Sequence, residues 1–186
     1  MNTQNVYRLG ALATILTAVG LTIGNLIYFF GSVETVFYSW FAYAVYSLWI
    51  FAYFAIFAVQ AKRINIFLLI GFVLLVIGVV FNIVQNTAEL GMITGIVTKA
   101  QIEQVGPTSS FVAVDFISFW AFPLGSMLFG FGTIRAGIFP QWMGILMMVL
   151  GVTGIFFWDS AFFIVAIIQS VLWGALGWAS WNLFQK

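Results

Sequence analysis

Between Arg63 and Glu89 the chain carries no charge, and within that stretch Phe67-Leu68-Leu69-Ile70-Gly71-Phe72-Val73-Leu74-Leu75 is apolar without a break. A helix built from it is hydrophobic on every side, and such a helix needs lipid or a deep protein core around it. A bilayer span takes about 20 largely apolar residues. Barrel strands would instead alternate apolar and polar residues over about ten positions, which this run does not do. The same pattern recurs along the chain. Reading between charges and loop signals gives six spans, at about 9–30, 37–60, 65–85, 111–134, 141–158 and 161–184. The expected fold is all-α: one domain over residues 1–186, a polytopic membrane bundle of six transmembrane helices. Composition agrees. Hydrophobic residues make up 63% and charged residues 6%, whereas a soluble domain carries roughly 25% charged residues. Six bases and five acids cannot cover a water-soluble globule, so a soluble enzyme, a nucleic-acid binder and a disordered chain are all excluded.

The short connections contain Gly31-Ser32, Lys62-Arg63, Arg135-Ala136-Gly137 and Asp159-Ser160. One connection is long, about 86–110, with Glu89, Lys99, Glu103 and Pro107. Within it Thr98-Lys99-Ala100-Gln101 fits a capping box, so either a short interfacial helix starts there or the segment is a plain polar loop. Pro140 is placed in the first turn of the fifth helix, where a missing N–H costs little. Pro123 falls mid-way along the fourth, where a kink is expected. The first span exceeds a signal h-region in length and lacks a small-x-small cleavage site, and reads as retained. Gly20-x-x-x-Gly24 with Gly10, and Gly144, Gly151, Gly154, Gly174 and Gly177, predict close helix packing within the chain.

Six spans place both termini on one side. That side holds Arg8, Lys62, Arg63, Arg135 and Lys186, while Glu34, Glu89, Glu103, Asp159 and Lys99 fall on the other. The positive-inside rule then puts both termini in the cytoplasm and the chain in the cell (cytoplasmic or inner) membrane.

Several chemistries are excluded by missing residues. Without cysteine there is no disulfide, thiolate or iron–sulfur site. Without histidine the commonest metal ligand and general base are missing. No lysine falls inside a span, which removes a retinal Schiff base. No catalytic motif and no paired carboxylates are evident, so the chain is expected not to be an enzyme, and no metal or cofactor is indicated. The abundant aromatic residues leave room for a bound lipid or pigment.

The candidate site rests on polar residues at membrane depth. Asp115 is the ionisable residue expected inside a span, a functional candidate by default. Asn82, Gln85 and Asn86 share one helix face at i, i+3, i+4 spacing. Asn25 and Tyr28 fall in the outer third of the first helix, and Gln169 lies deeper in the sixth, with most of these groups in the outer half of the membrane. One reading is an outward-facing polar pocket lined by Asn25, Asn82, Gln85, Asp115 and Gln169. The plainer and leading reading is that Asp115 reaches interfacial water and the amides tie helices together.

Two stretches carry a resemblance. Tyr7-Arg8-Leu9-Gly10-Ala11-Leu12 resembles the start of small bacterial membrane proteins of the domain-of-unknown-function 4386 family, and Arg135-Ala136-Gly137-Ile138-Phe139-Pro140-Gln141-Trp142-Met143-Gly144 is similar to a loop of that family. The resemblance implies a compact helix bundle in a prokaryotic cytoplasmic membrane and no particular activity. The leading expectation for function is association: an accessory or scaffold subunit of a larger membrane complex, or a homo-oligomer, with lipid and other membrane subunits or further copies as partners. The alternative is a small-molecule or lipid binding or transport component that uses the polar pocket.

Overall fold

The computed structural model describes residues 3–31, 35–98, 100–101, 110–156 and 158–183. The side chains at 3, 4, 6, 110–112, 114, 115, 118 and 158–163 lie outside that description. Six long helices are present among the described residues: α1 (Thr3–Phe30), α2 (Val36–Val59), α3 (Ile66–Ile93), α4 (Ser110–Ala136), α5 (Gln141–Phe156) and α6 (Trp158–Leu183). Four stretches are long and apolar enough to cross a membrane: Tyr7–Phe30, Val36–Val59, Ile66–Ile93 and Ile164–Leu183. Large apolar side chains stay exposed on all six helices, among them Leu26, Phe51, Val73, Phe116, Ile145 and Ile167. Water would not tolerate so much apolar surface; lipid does.

Each helix packs on its sequence neighbours, and α6 closes back on α1, so the six form a ring. Small residues set the spacing. Gly10 faces Ala55, Gly20 faces Val45 and Gly24 faces Phe41, which makes α1 and α2 antiparallel. Gly177 meets Ile15 across α6 and α1, and Gly144 meets Gly130 across α5 and α4. The closest pair is α3 with α4. There Gly71 lies against the Phe129 backbone, Gly132 against the Leu68 backbone, Gly78 against Phe122 and Gly125 against Leu75. The hydroxyls of Thr14, Thr17, Thr22, Ser170 and Ser180 donate to the carbonyl four residues back, so these polar groups are satisfied within their own helices.

One end of the ring is tied by side chains. Asn65 accepts from Leu68 N (3.0 Å), capping α3, and donates to Gly132 O of α4 (2.9 Å). The Arg63 guanidinium donates to Ala136 O (3.2 Å), the last carbonyl of α4. Gly137 ends that helix with φ +62° and its N–H on Thr133 O, an αL cap that favours glycine. Arg135 lies over the rings of Phe67 and Phe131.

The element boundaries depart from the sequence expectation at the start of α1, which begins at Thr3 and not near residue 9, and in three further places. First, α3 runs to Ile93, about two turns past the expected end near residue 85. Asn86 is buried there and donates to Ser39 O of α2 (3.0 Å), so the polar residues continue the helix instead of opening a loop. The helix stops at Gly95 (φ +72°), with Gly95 N on Met92 O and Ile96 N on Gly91 O, a Schellman cap. Second, Asp159 and Ser160 are helical and belong to α6, so they do not form a connection between two helices; an acid is a residue type that a first helical turn favours. Third, Pro140 directly precedes α5 rather than forming part of its first turn, a one-residue shift of the kind helix ends show. Pro123 lies inside α4, which continues through it. In the long connection the capping box is formed: Thr98 N donates to Gln101 Oε1 (2.8 Å) and Gln101 N to Thr98 Oγ1 (3.3 Å), with residues 100–101 helical.

Candidate functional site

The ring is solid at the Arg63 end and hollow at the other. Trp49 of α2 marks the change. Its indole stacks on Tyr53 (centroids 5.9 Å) and meets Phe122 and Trp173 edge-on at 5.2 and 6.0 Å. Tyr53 in turn meets Trp173 at 4.8 Å and Phe129 at 6.4 Å. These rings fill the bundle axis, and with Leu68, Leu75, Leu172 and Leu176 they form the core.

Beyond Trp49 lies a cavity of about 550 Å³ to which all six helices contribute. From α1 come Gly20, Gly24, Asn25 and Tyr28; from α2, Tyr38, Val45, Tyr46 and Trp49; from α3, Asn82 and Gln85. Phe116, Phe119, Phe122 and Pro123 of α4 form a wall, with Leu150 and Gly154 of α5 and Val165, Ala166 and Gln169 of α6 completing it. The hollow exists because residues of different size meet across it. Gly20 and Gly24 let α1 lie close to Val45 and Phe41 of α2, while Trp49 and Leu150 are among the lining residues next to the filled core. A Cβ at Gly24 would make only ordinary contact, 3.5 Å from the Phe41 ring.

Four of the five residues singled out from sequence, Asn25, Asn82, Gln85 and Gln169, line this one cavity. They come from three helices; the i, i+3 spacing relates Asn82 to Gln85, and no spacing relates that pair to Asn25 or Gln169. The fifth, Asp115, is in α4, four and seven residues before the wall residues Phe119 and Phe122; its side chain lies outside the described residues. Asn86, on the same face as Asn82 and Gln85 by spacing, is not in the lining but is used up in its bond to Ser39 O. The aromatic residues Tyr38, Tyr46, Trp49, Phe119 and Phe122 were not anticipated. The signal for them was present in α2, where Tyr38, Val45 and Trp49 follow a helical repeat with Ala42 between them.

Among the described residues the lining is polar without being charged. Carboxamides both donate and accept hydrogen bonds, and phenols do the same. No Asp, Glu, Lys or Arg lines the cavity among the described residues, and none of their acidic side chains cluster as a metal site would require. Two donors on lining residues are buried with no hydrogen-bond partner, Asn25 Nδ2 and Trp49 Nε1. A buried donor left unpaired costs about 1–3 kcal/mol.

Comparison with protein-family models, curated proteins and solved structures gives no match to this chain.

Proposed function

We propose that this chain is a six-span membrane protein that binds a small molecule or the polar part of a lipid in the cavity above Trp49, through Asn25, Asn82, Gln85 and Gln169, with Asp115 as a further contact. The observation that carries this reading is the cavity itself. Its volume of about 550 Å³ falls within the roughly 300–1,000 Å³ of small-molecule sites, and a mainly apolar wall with a few converging polar groups is their usual make-up. A protein that needed only to pack its helices would fill such a space. Binding, as one step of uptake or of sensing, fits better than catalysis, since no pair of carboxylates or nucleophile–base set stands beside the cavity among the described residues.

The orientation is part of the proposal. Both termini face the cytoplasm of a cell membrane, and the cavity then opens on the outer side, because it occupies the end remote from Arg63 and Arg135. Four helices meet the length and apolarity of a span. α4, with 27 residues, is about 40 Å long. The described part of α5, 16 residues, is about 24 Å long. Association with other chains, the reading that sequence alone favours, draws less support: exposed apolar residues are spread over every helix, which suits lipid on all sides.

The test is native mass spectrometry of protein extracted directly from membranes. A small-molecule adduct is expected on the unaltered chain. It should be absent from Gly24→Trp and Ala166→Trp variants, which fill the cavity and should melt no lower than the parent. Identical spectra from the parent and from both folded variants refute the proposal.

A further inference from the structure

We infer that the basic end of the bundle binds the headgroup of an anionic phospholipid where α3 begins and α4 ends, with Arg135 and Arg63 as its contacts. This site is separate from the cavity, which lies at the other end. Four exposed cations share the basic end: Arg8, Lys62, Arg63 and Arg135. The contact of Gly10 with Ala55 brings Arg8 there, and Arg63 donates to the carbonyl of Ala136, the residue after Arg135. No acid answers them among the described residues. Glu89 is in the last two turns of α3, Asp115 in the first two of α4 and Asp159 in the first of α6, all at the cavity end. Like charges gathered without a counter-charge repel, and an anionic headgroup relieves that repulsion.

The two arginines are set for a phosphate. Arg135 lies over the rings of Phe67 and Phe131, 5.6 and 5.8 Å from their centroids, and those rings meet edge-on at 4.9 Å. Stacking engages the flat face of the guanidinium and leaves its N–H edge for an acceptor. Arg63 spends a donor on Ala136 O (3.2 Å), and a guanidinium has five. Phe67, under Arg135, is four residues after Arg63, so both groups belong to one junction. A phosphate matches the guanidinium fork in shape as well as in charge. The surface next to them suits the rest of a lipid. Phe131 and Leu124 follow Arg135 at helical spacing on α4 and are exposed, as are Ile66 and Ile70 of α3. A soluble phosphate would use none of these. Trp142 at the start of α5 is exposed at the same end, a residue type that favours headgroup depth.

The experiment is native mass spectrometry of the full chain in mild detergent, titrated with phosphatidylglycerol and, separately, with phosphatidylcholine of the same acyl chains. The first phosphatidylglycerol should bind at least about tenfold more tightly, since each base beside an anionic headgroup contributes a factor of about five and two are engaged. Arg135→Gln and Arg63→Gln should each cut that preference about fivefold. Arg135→Lys, which keeps the charge without the flat fork, should recover only part of it. Arg8→Gln removes the same charge across the ring and Gly24→Trp fills the cavity; both should leave the preference unchanged. Where loss of the bond to Ala136 O unfolds Arg63→Gln, Arg135→Gln alone decides. Equal binding of the two lipids, or a preference that Arg135→Gln leaves intact, overturns the inference. A preference that Arg8→Gln lowers as much as Arg135→Gln shows diffuse attraction to a basic face and overturns the site. Displacement of phosphatidylglycerol by excess inorganic phosphate, or its presence only on a species of two chains, assigns the face to a soluble anion or to a second copy and overturns it as well.

Discussion

Alanine at Gly132 and at Gly24 should shift stability in opposite directions, although both glycines lie inside apolar helices. At Gly132 an added Cβ would collide with the backbone N and Cα of Leu68, which no side-chain rotation can relieve. The α3–α4 pair must then move apart, and the contacts of Gly71 with Phe129, Gly78 with Phe122 and Gly125 with Leu75 loosen with it. A gap of 0.5–1 Å forfeits roughly a quarter to a half of each dispersion contact along that seam, and overpacking typically costs about 1–3 kcal/mol. Alanine regains at most about 1 kcal/mol of helix propensity. Because the collision is backbone on backbone, the upper part of the range applies, and Gly132→Ala should lose about 2 kcal/mol. At Gly24 the nearest atom is a ring carbon of Phe41 at 3.5 Å, so the variant should be neutral or up to about 1 kcal/mol more stable. The assay is reversible unfolding in mixed micelles of mild detergent and dodecyl sulfate, followed by circular dichroism. Equal stabilities for the two variants, or a more stable Gly132→Ala, would refute the argument that α3 and α4 touch through backbone. Since α3 carries Asn82 and Gln85 and α4 carries Phe119 and Phe122, Gly132→Ala should also weaken ligand binding, whereas Gly132→Ser should behave no better than alanine.

Asn65 serves two helices, so Asn65→Ala should cost about 2 kcal/mol in the same unfolding assay; Asn65→Asp, which keeps the α3 cap and loses the donor to Gly132 O, should cost about half that. Asn86→Leu removes the tie to Ser39 O and should lower stability by about 1 kcal/mol with little effect on ligand affinity. Asn25→Leu should do the reverse, leaving stability equal or higher because an unpaired buried donor is removed, while weakening the bound ligand. The cavity is built by one chain, so binding should persist in a micelle that holds a single 20.7 kDa copy. Binding confined to a much larger species, measured by light scattering during size-exclusion chromatography, would contradict a single-chain site.

What could be read from sequence follows from which forces act locally. The helices and the polar cluster were legible because charge and carboxamide are rare in this chain, and each has a cost in lipid that its position must answer. Asn25, Asn82, Gln85 and Gln169 stood out against apolar neighbours, Asn82 and Gln85 as one helix face, and the ring of helices brings the four to one cavity. The helical state of Asp159 and Ser160 was not legible, because such a pair looks like a turn whether it precedes a helix or lies within one. The reach of α3 to Ile93 depended on Asn86 meeting a carbonyl on another helix, which no local pattern encodes. The α3–α4 seam is the instructive case. Gly71 and Gly78 are seven residues apart, as are Gly125 and Gly132. A four-residue search for Gly-x-x-x-Gly passes over them, yet a seven-residue repeat is the period that keeps one face of a helix on its neighbour through a left-handed, nearly antiparallel crossing. With glycine at that period on both partners, the two backbones approach closely enough to fix Phe122 and Phe129 along the axis. Phe122 then meets Trp49, and the height of Trp49 decides where the solid core ends and the cavity begins.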